Sequence, residues 1–244
     1  MTSSTLVLLP GLMCDADVWA PLVPHLPTSH TPWVADYGLS NSLTAMAQRV
    51  LQQAPAEHFA VAGHSMGGRV ALEVVRQAPE RVERLALLDT GFQGLAEGEA
   101  GGIERAGRYQ LLELARTQGM RVMGQQWARG MVHPKQLDTP VFEAILQMIS
   151  RQTPDMFASQ IQALLARPDA STLLPQIHCP TLLLCGREDV WSPLARHEVM
   201  QQAIAGAHLK VIEMSGHMTT MEQPQAVSRA LEAWLMDTDE KAEG

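Results

Sequence analysis

The chain has 244 residues, 46% of them hydrophobic, and this is enough material to bury one large core. Its formal net charge of -8 and the lack of any dense run of Lys or Arg argue against a nucleic-acid partner. The first apolar stretch, 6–9, is too short for a membrane span or a signal sequence, and three cysteines cannot all pair. We therefore expect a cytoplasmic protein with reduced thiols and no membrane span.

Six short apolar runs recur between stretches of helical periodicity. The predicted strands are 5–9, 31–35, 58–62, 84–88, 181–185 and 209–214. Strands that alternate with helices predict a parallel sheet covered by helices on both faces. In such sheets the functional loops lie at the carboxyl ends of the strands, so candidate site residues are sought there.

The first predicted strand runs into Leu9-Pro10-Gly11-Leu12, where the chain is expected to turn sharply. The backbone N–H of Leu12 is a candidate donor to an oxyanion, the negatively charged oxygen that forms during acyl transfer. Pro10 has no N–H and cannot take that role.

The third predicted strand leads into Gly63-His64-Ser65-Met66-Gly67-Gly68, and a helical pattern follows. A Gly-x-Ser-x-Gly turn between strand and helix is typical of a nucleophile elbow, whose strained serine requires neighbours without bulk. We expect Ser65 to be the nucleophile and the N–H of Met66 to be the second oxyanion donor. The alternative for Ser65 is a helix N-cap, and His64 is expected to pack or hydrogen-bond locally.

No convincing strand is predicted between residues 93 and 175, where stretches of helical periodicity are interrupted by several prolines. We predict that 93–175 forms a helical lid inserted into a core made of 1–92 and 176–237, and that 238–244 is a flexible acidic tail. Candidate pocket residues are the aromatic side chains Trp127, Phe142, Phe157 and Trp191.

Several arginines in the lid could steer an acidic substrate, but glutamates lie among them. The arginines are Arg105, Arg108, Arg116, Arg121 and Arg129, and the glutamates are Glu97, Glu99, Glu104 and Glu113. Solvated helix faces with ion pairs are the favoured interpretation.

A serine hydroxyl needs a general base, usually a histidine that is itself oriented by a carboxylate. Asp189 follows the fifth predicted strand and His217 follows the sixth. The chain order Ser65, Asp189, His217 is the one expected of an α/β-hydrolase. Glu188 and Asp89 are the alternative carboxylates. The sequence shows no metal-type cluster of His, Cys and Asp, and acyl transfer through these three residues implies neither a metal nor a cofactor.

Over nearly its whole length the chain resembles the α/β-hydrolase superfamily, in particular its small lid-bearing carboxylesterase-like members. The resemblance lies in residues 63–68, 180–189 and 216–224, and residues 43–55 are also similar to the pimeloyl-carrier-protein methyl ester esterase group. It implies a Ser-His-Asp hydrolase that cleaves a small to medium, partly apolar carboxylic ester through an acyl-enzyme. The same triad serves thioesterases, C–C bond hydrolases and acyltransferases, and a ligand-binding receptor with little turnover is a further alternative.

The chain departs from the superfamily pattern in two places. Pro10-Gly11 stands where members usually have His-Gly, and only four residues precede the first predicted strand, where most members have a β-hairpin. We therefore predict an all-parallel sheet of six strands without that hairpin. The strand at 31–35 would then be an outer edge and a candidate surface for a homodimer.

Overall fold

The structure, a computed structural model, describes residues 4–236, so the acidic tail predicted at 238–244 lies outside the described residues. Its centre is a six-stranded sheet in the order β2-β1-β3-β4-β5-β6, in which every neighbouring pair is parallel. The strands are β1 (Ser4–Leu9), β2 (His30–Val34), β3 (Phe59–His64), β4 (Val82–Leu88), β5 (Thr181–Gly186) and β6 (His208–Ile212).

The strands near the middle of the sheet are apolar because helices cover both of their faces. Every residue of β3 and of β5 is buried, which explains why these segments are continuous apolar runs rather than alternating ones. All six predicted strands occur, and every bound lies within two residues of its expected position. The prediction of a six-stranded, all-parallel sheet is confirmed.

Nine helices are found within residues 4–236. They are α1 (Leu43–Gln53), α2 (Met66–Gln77), α3 (Gly98–Gln118), α4 (Met120–Trp127), α5 (Pro140–Ser150), α6 (Pro154–Leu165), α7 (Leu194–Ala203), α8 (Thr219–Glu222) and α9 (Pro224–Met236). In this part of the chain no helix combines the length and the apolar character needed to cross a bilayer.

The helices α3 to α6 lie in the interval between β4 and β5 where the sequence predicted a lid. Two of the prolines that interrupt the helical periodicity of this interval are helix starts, since α5 and α6 begin at Pro140 and Pro154. Helix α4 begins directly after Gly119, whose φ of 90° separates it from α3. The division of the chain into a core and a lid stays a prediction.

Strand β2 is an outer strand of the sheet, as expected, and four of its five residues are partly buried. It contains Pro32, which has no N–H and so shortens the row of donors that another strand could use. A homodimer through this edge stays a prediction.

Candidate active site

Ser65 lies between β3 and α2 in a backbone conformation that side chains rarely adopt, with φ 55° and ψ -116°. Its neighbours are glycines because there is no room for a side chain. A Cβ on Gly63 would lie 2.3 Å from the carbonyl oxygen of Gly67, and one on Gly67 would lie 2.0 Å from that of Leu9. The close approach of β1, β3 and α2 therefore forces the serine out at the carboxyl edge of the sheet.

Two hydrogen bonds connect Ser65, His217 and Asp189. The Oγ of Ser65 lies 2.8 Å from Nε2 of His217, and Nδ1 of His217 lies 2.8 Å from Oδ2 of Asp189. Because Nδ1 faces a carboxylate, it carries the ring proton, and Nε2 is left to accept the proton of Ser65. The structure thus brings together three residues that are far apart in the sequence, each at the end of a different strand.

The second oxygen of Asp189 is occupied by the backbone of its own loop. Oδ1 accepts hydrogen bonds from the N–H groups of Trp191 (2.8 Å) and Ser192 (2.9 Å), and the side chain is buried. Burial by itself raises the pKa of Asp189, but the charge of His217 and these hydrogen bonds bring it below its ordinary value. Asp189 is thereby held as a carboxylate that orients the imidazole.

The two alternative carboxylates bind elsewhere. Glu188 Oε2 accepts from the N–H of Ser215 at 3.0 Å. Asp89 is fully buried, accepts from the N–H of Gly186 at 3.0 Å and from the hydroxyl of Thr219, and has its pKa raised well above the ordinary value by burial and by the nearby Asp189. Glu188 therefore holds loop backbone, and Asp89 connects the end of β5 to the start of α8; neither is hydrogen-bonded to His217.

His64 is fully buried beside the elbow and belongs to the loop scaffold. Its Nε2 donates to the carbonyl oxygen of His217 at 2.8 Å, and burial lowers its pKa to about 3, so the ring is neutral at ordinary pH. Its Nδ1 faces Gly11, where a Cβ would come within 2.9 Å. His64 thus fixes the backbone of His217 against the loop that follows β1.

The two candidate oxyanion donors lie on either side of the elbow. Met66 is the first residue of α2, so its N–H has no acceptor within the helix and lies at the positive end of the helix dipole. Leu12 lines the same cavity as Ser65. The next residue, Met13, has φ 59°, and its N–H donates to Oε1 of Gln160 at 2.9 Å.

Gln160 is a residue that the sequence analysis missed. It lies on α6, is 4% exposed, and spans 147 positions of the chain to hold the loop that carries Leu12. A glutamine in an amphipathic helix gives no signal of such a contact before the fold is known.

Glu222 was also missed, and it holds the loop that carries His217. Its Oε1 accepts from the N–H groups of Gly216 (3.0 Å) and Met218 (3.1 Å), and its Oε2 accepts from that of His133 (2.7 Å). Glu222 thus supplies acceptors for the backbone N–H groups on both sides of His217, so its loss would loosen the position of that histidine.

Ser65 and His217 open into a cavity of about 710 Å³. Of the four aromatic candidates, Trp127, Phe157 and Trp191 line it, with the Trp127 and Trp191 rings stacked at 5.3 Å and Trp191 5.2 Å from the His217 ring. Phe142 does not line it. That side chain lies on α5, which among the described residues contributes nothing to the cavity wall, and is packed in the hydrophobic core.

The arginines of the predicted lid divide between the surface and the cavity. Arg121 pairs with Glu143 at 2.9 Å on the surface, as the favoured interpretation expects, whereas Arg108 faces the cavity. Within residues 4–236, no group of three or more His, Cys, Asp or Glu side chains is arranged to hold a metal ion.

A parallel sheet with a serine elbow after β3, an aspartate after β5 and a histidine after β6 is the arrangement of an α/β-hydrolase. The chain belongs to the alpha/beta hydrolase family, whose model matches residues 6–230. The prediction of this superfamily, and of an enzyme of the hydrolase class, is confirmed.

Known proteins agree with this assignment. The pimeloyl-acyl-carrier-protein methyl ester esterase of Aliivibrio salmonicida is 30% identical over 250 residues, covering 97% of this chain and 94% of the relative. A thermophilic esterase from Thermogutta terrifontis, solved with malate bound, superposes with a TM-score of 0.84 at 26% identity, covering 96% of this chain and 90% of that one. The enol-lactonase from Burkholderia xenovorans shares the fold, with a TM-score of 0.83 at 20% identity over 97% of this chain and 93% of its own.

Proposed function

We propose that this protein is a serine esterase that hydrolyses carboxylic esters through an acyl-enzyme on Ser65. The observation that carries the proposal is the position of His217, whose two ring nitrogens lie 2.8 Å from the Ser65 hydroxyl and 2.8 Å from the Asp189 carboxylate. The names of the relatives point to the same reaction, since the Aliivibrio relative is a methyl ester esterase.

In the first half-reaction His217 Nε2 takes the proton of Ser65 as the serine oxygen attacks the ester carbonyl. The charge that develops on the carbonyl oxygen is stabilised by the N–H groups of Leu12 and Met66, and the imidazolium is stabilised by Asp189. Collapse of the tetrahedral intermediate breaks the bond to the alcohol, which leaves with the proton held by His217.

In the second half-reaction a water molecule attacks the acyl-enzyme. His217 accepts a proton from the water, the same two N–H groups hold the oxyanion, and Ser65 regains its proton as the acid departs. No redox step and no second substrate other than water is needed. The proposal accordingly names no cofactor.

The cavity suits a small to medium, partly apolar ester. Its volume of about 710 Å³ is within the range of small-molecule sites, and its wall next to His217 is formed by the Trp127 and Trp191 rings. We propose that 93–175 acts as the lid of this cavity, because α3, α4 and α6 supply Ile103, Trp127 and Phe157 to its wall.

Replacing the nucleophile tests the proposal. In Ser65→Ala we expect kcat for p-nitrophenyl acetate and p-nitrophenyl butyrate to fall by about 10⁶-fold, as in other triad enzymes. A fluorophosphonate should label the parent protein and not the variant. Ser150→Ala is a matched control, because Ser150 lies on α5 and contributes to no wall of the cavity. Equal activity in Ser65→Ala, or no labelling of the parent protein, would overturn the proposal.

The alternative reactions of the same triad differ in the bond that is broken. Matched oxygen-ester and thioester pairs with one acyl group separate an esterase from a thioesterase, and a non-water acceptor such as an alcohol reveals acyl transfer. A receptor with little turnover would bind these ligands without releasing product.

A further inference from the structure

Four arginines from four different segments converge on one wall of the cavity. Arg69 lies on α2, Arg108 on α3, Arg167 just after α6 and Arg196 on α7. Among the described residues that line the cavity, Glu104 is the one carboxylate. The wall therefore carries a clear excess of positive charge.

Two of the four arginines, Arg108 and Arg167, occupy both carboxylate oxygens of Glu104. Its Oε1 accepts from Arg108 Nη2 (2.8 Å) and Arg167 Nη1 (2.7 Å), and its Oε2 accepts from Arg167 Nη2 (2.8 Å). Burial acts against ionisation, yet these hydrogen bonds and charges lower the pKa of Glu104 to about 2. The single carboxylate is thus ionised and shared between Arg108 and Arg167, and it leaves the other two arginines without a counterion.

The guanidinium groups of Arg69 and Arg196 lie side by side next to Gly91. Arg69 Nη2 and Arg196 Nη1 lie 2.9 and 3.1 Å from the point that a Cβ on Gly91 would occupy, so glycine leaves the two guanidinium groups side by side. Each uses one Nη1 donor on a carbonyl oxygen, Arg69 on Gln93 at 2.7 Å and Arg196 on Trp191 at 3.1 Å. Within residues 4–236 their remaining donors have no hydrogen-bond acceptor.

The nearest other carboxylates are already engaged. Asp189, close to Arg196, is bonded to His217 and to its own loop. Asp169, close to Arg69, accepts from the N–H groups of Gly94 and Ser171. Burial and the neighbouring arginines lower the pKa of Arg69 to about 9, which still leaves it charged at neutral pH. Two partly buried cations held together in this way cost free energy that a bound anion would recover.

The pair lines the same cavity as the reacting serine. Arg69 is the fourth residue of α2, which begins directly after Ser65, so its backbone lies about one helical turn, roughly 5 Å, from the elbow. Ser65, Arg69 and Arg196 line one continuous cavity. A single small molecule can therefore reach both the nucleophile and the pair.

We propose, on the basis of the esterase function above, that Arg69 and Arg196 bind an anionic oxygen group that the substrate carries a few bonds from its ester. Guanidinium groups present planar N–H pairs that match a carboxylate or a phosphate. The substrate is then the ester of an acid with a second, negatively charged end, which the apolar aromatic wall alone would not select.

The test compares esters of equal length that differ in the charge of their far end. For monomethyl glutarate we expect kcat/KM at least about tenfold above that for methyl pentanoate, the scale of a hydrogen bond to a charged group. Methyl 4-phosphonooxybutanoate distinguishes phosphate from carboxylate as the preferred end. Equal kcat/KM for all three esters would overturn the proposal.

Substitutions show which arginines cause the preference for the anionic ester. In Arg69→Gln and in Arg196→Gln the preference for the anionic over the neutral ester should fall by about tenfold or more, chiefly through KM. Arg121→Gln, which removes a surface arginine paired with Glu143, should keep the preference of the parent protein. An unchanged preference in both cavity variants would contradict the proposal.

Binding without turnover separates this inference from the esterase proposal. Glutarate and butyl phosphate are titrated calorimetrically into Ser65→Ala and into Ser65→Ala/Arg69→Gln, with uncharged glutaramide as the reference ligand. Binding of at least one anion that weakens with Arg69→Gln supports the anion site even if no ester is hydrolysed. If neither anion binds more tightly than glutaramide, the anion site is wrong even if Ser65 is the nucleophile.

Discussion

Gly67→Ala is expected to damage both the stability and the chemistry of the protein, because the elbow is packed directly on the end of β1. The added Cβ would lie 2.0 Å from the carbonyl oxygen of Leu9 and 2.7 Å from that of Pro10. Both atoms belong to the backbone, so no side chain can rotate out of the way. The clash falls on the segment that carries the candidate oxyanion donor Leu12.

The size of the effect follows from these distances. Real Cβ contacts essentially never fall below 3.0 Å, so β1 and the elbow must separate by roughly 1 Å or more in an interior that is close-packed. Overpacking of this kind costs about 3 kcal/mol, which lowers Tm by about 6 to 12 °C in a protein of this size. A shift of about 1 Å between Leu12 and Met66 is enough to reduce kcat by about 100-fold.

Thermal unfolding followed by circular dichroism and the hydrolysis of p-nitrophenyl butyrate measure the two effects. Gly102→Ala is the matched control, because Gly102 lies in α3 with nothing within 4 Å of its added Cβ. That change should stabilise the protein by about 0.5 to 1 kcal/mol and preserve activity. A Gly67→Ala protein with the Tm and kcat of the parent would refute the packing argument.

Three further predictions concern the site and its surroundings. Asp189→Asn should lower kcat by about 10⁴-fold with little change in KM, because an amide favours the wrong tautomer of His217; a loss below tenfold would contradict the assigned role. Gln160→Leu should leave the Met13 N–H without its acceptor, which should lower the free energy of unfolding in urea by about 1 to 3 kcal/mol and reduce kcat. An unchanged kcat would show that this hydrogen bond does not position the loop that carries Leu12. Burial lowers the pKa of His197 to about 4, so the unfolded state binds more protons and stability should fall as pH drops from 6.5 towards 4. In His197→Gln the free energy of unfolding should change less steeply with pH between 4 and 6.5, by up to about 1.4 kcal/mol per pH unit. Urea unfolding at several pH values measures this dependence, and the same dependence in parent and variant would refute the lowered pKa of His197.

The sheet and the three candidate catalytic residues were predictable because each is marked by a short pattern of neighbouring residues in the sequence. A buried parallel strand is a short apolar run, and Asp189 and His217 each follow such a run closely. The elbow at Ser65 has its own glycine pattern. Chain order and strand ends then place these residues together without any knowledge of packing.

Other parts of the site depend on contacts between distant segments and could not be predicted. Gln160 reaches Met13 across 147 positions, and nothing in the periodicity of α6 marks it. Arg69 and Arg196 have no shared motif and meet because Gly91 leaves room between α2 and α7. Phe142 has the same local signal as Phe157, and only the packing of α5 and α6 separates a core residue from a cavity residue.

The acyl-enzyme on Ser65 is tested most directly by trapping it. After brief reaction with p-nitrophenyl butyrate, acid quenching and trypsin digestion, residues 50–69 form one peptide in which Ser65 is the only hydroxyl side chain. The account predicts a butyryl group on this peptide at Ser65, which grows in with the burst of p-nitrophenol and is missing in Ser65→Ala. Product release with an unmodified Ser65 at every quench time, or with the butyryl group on another residue, would contradict it.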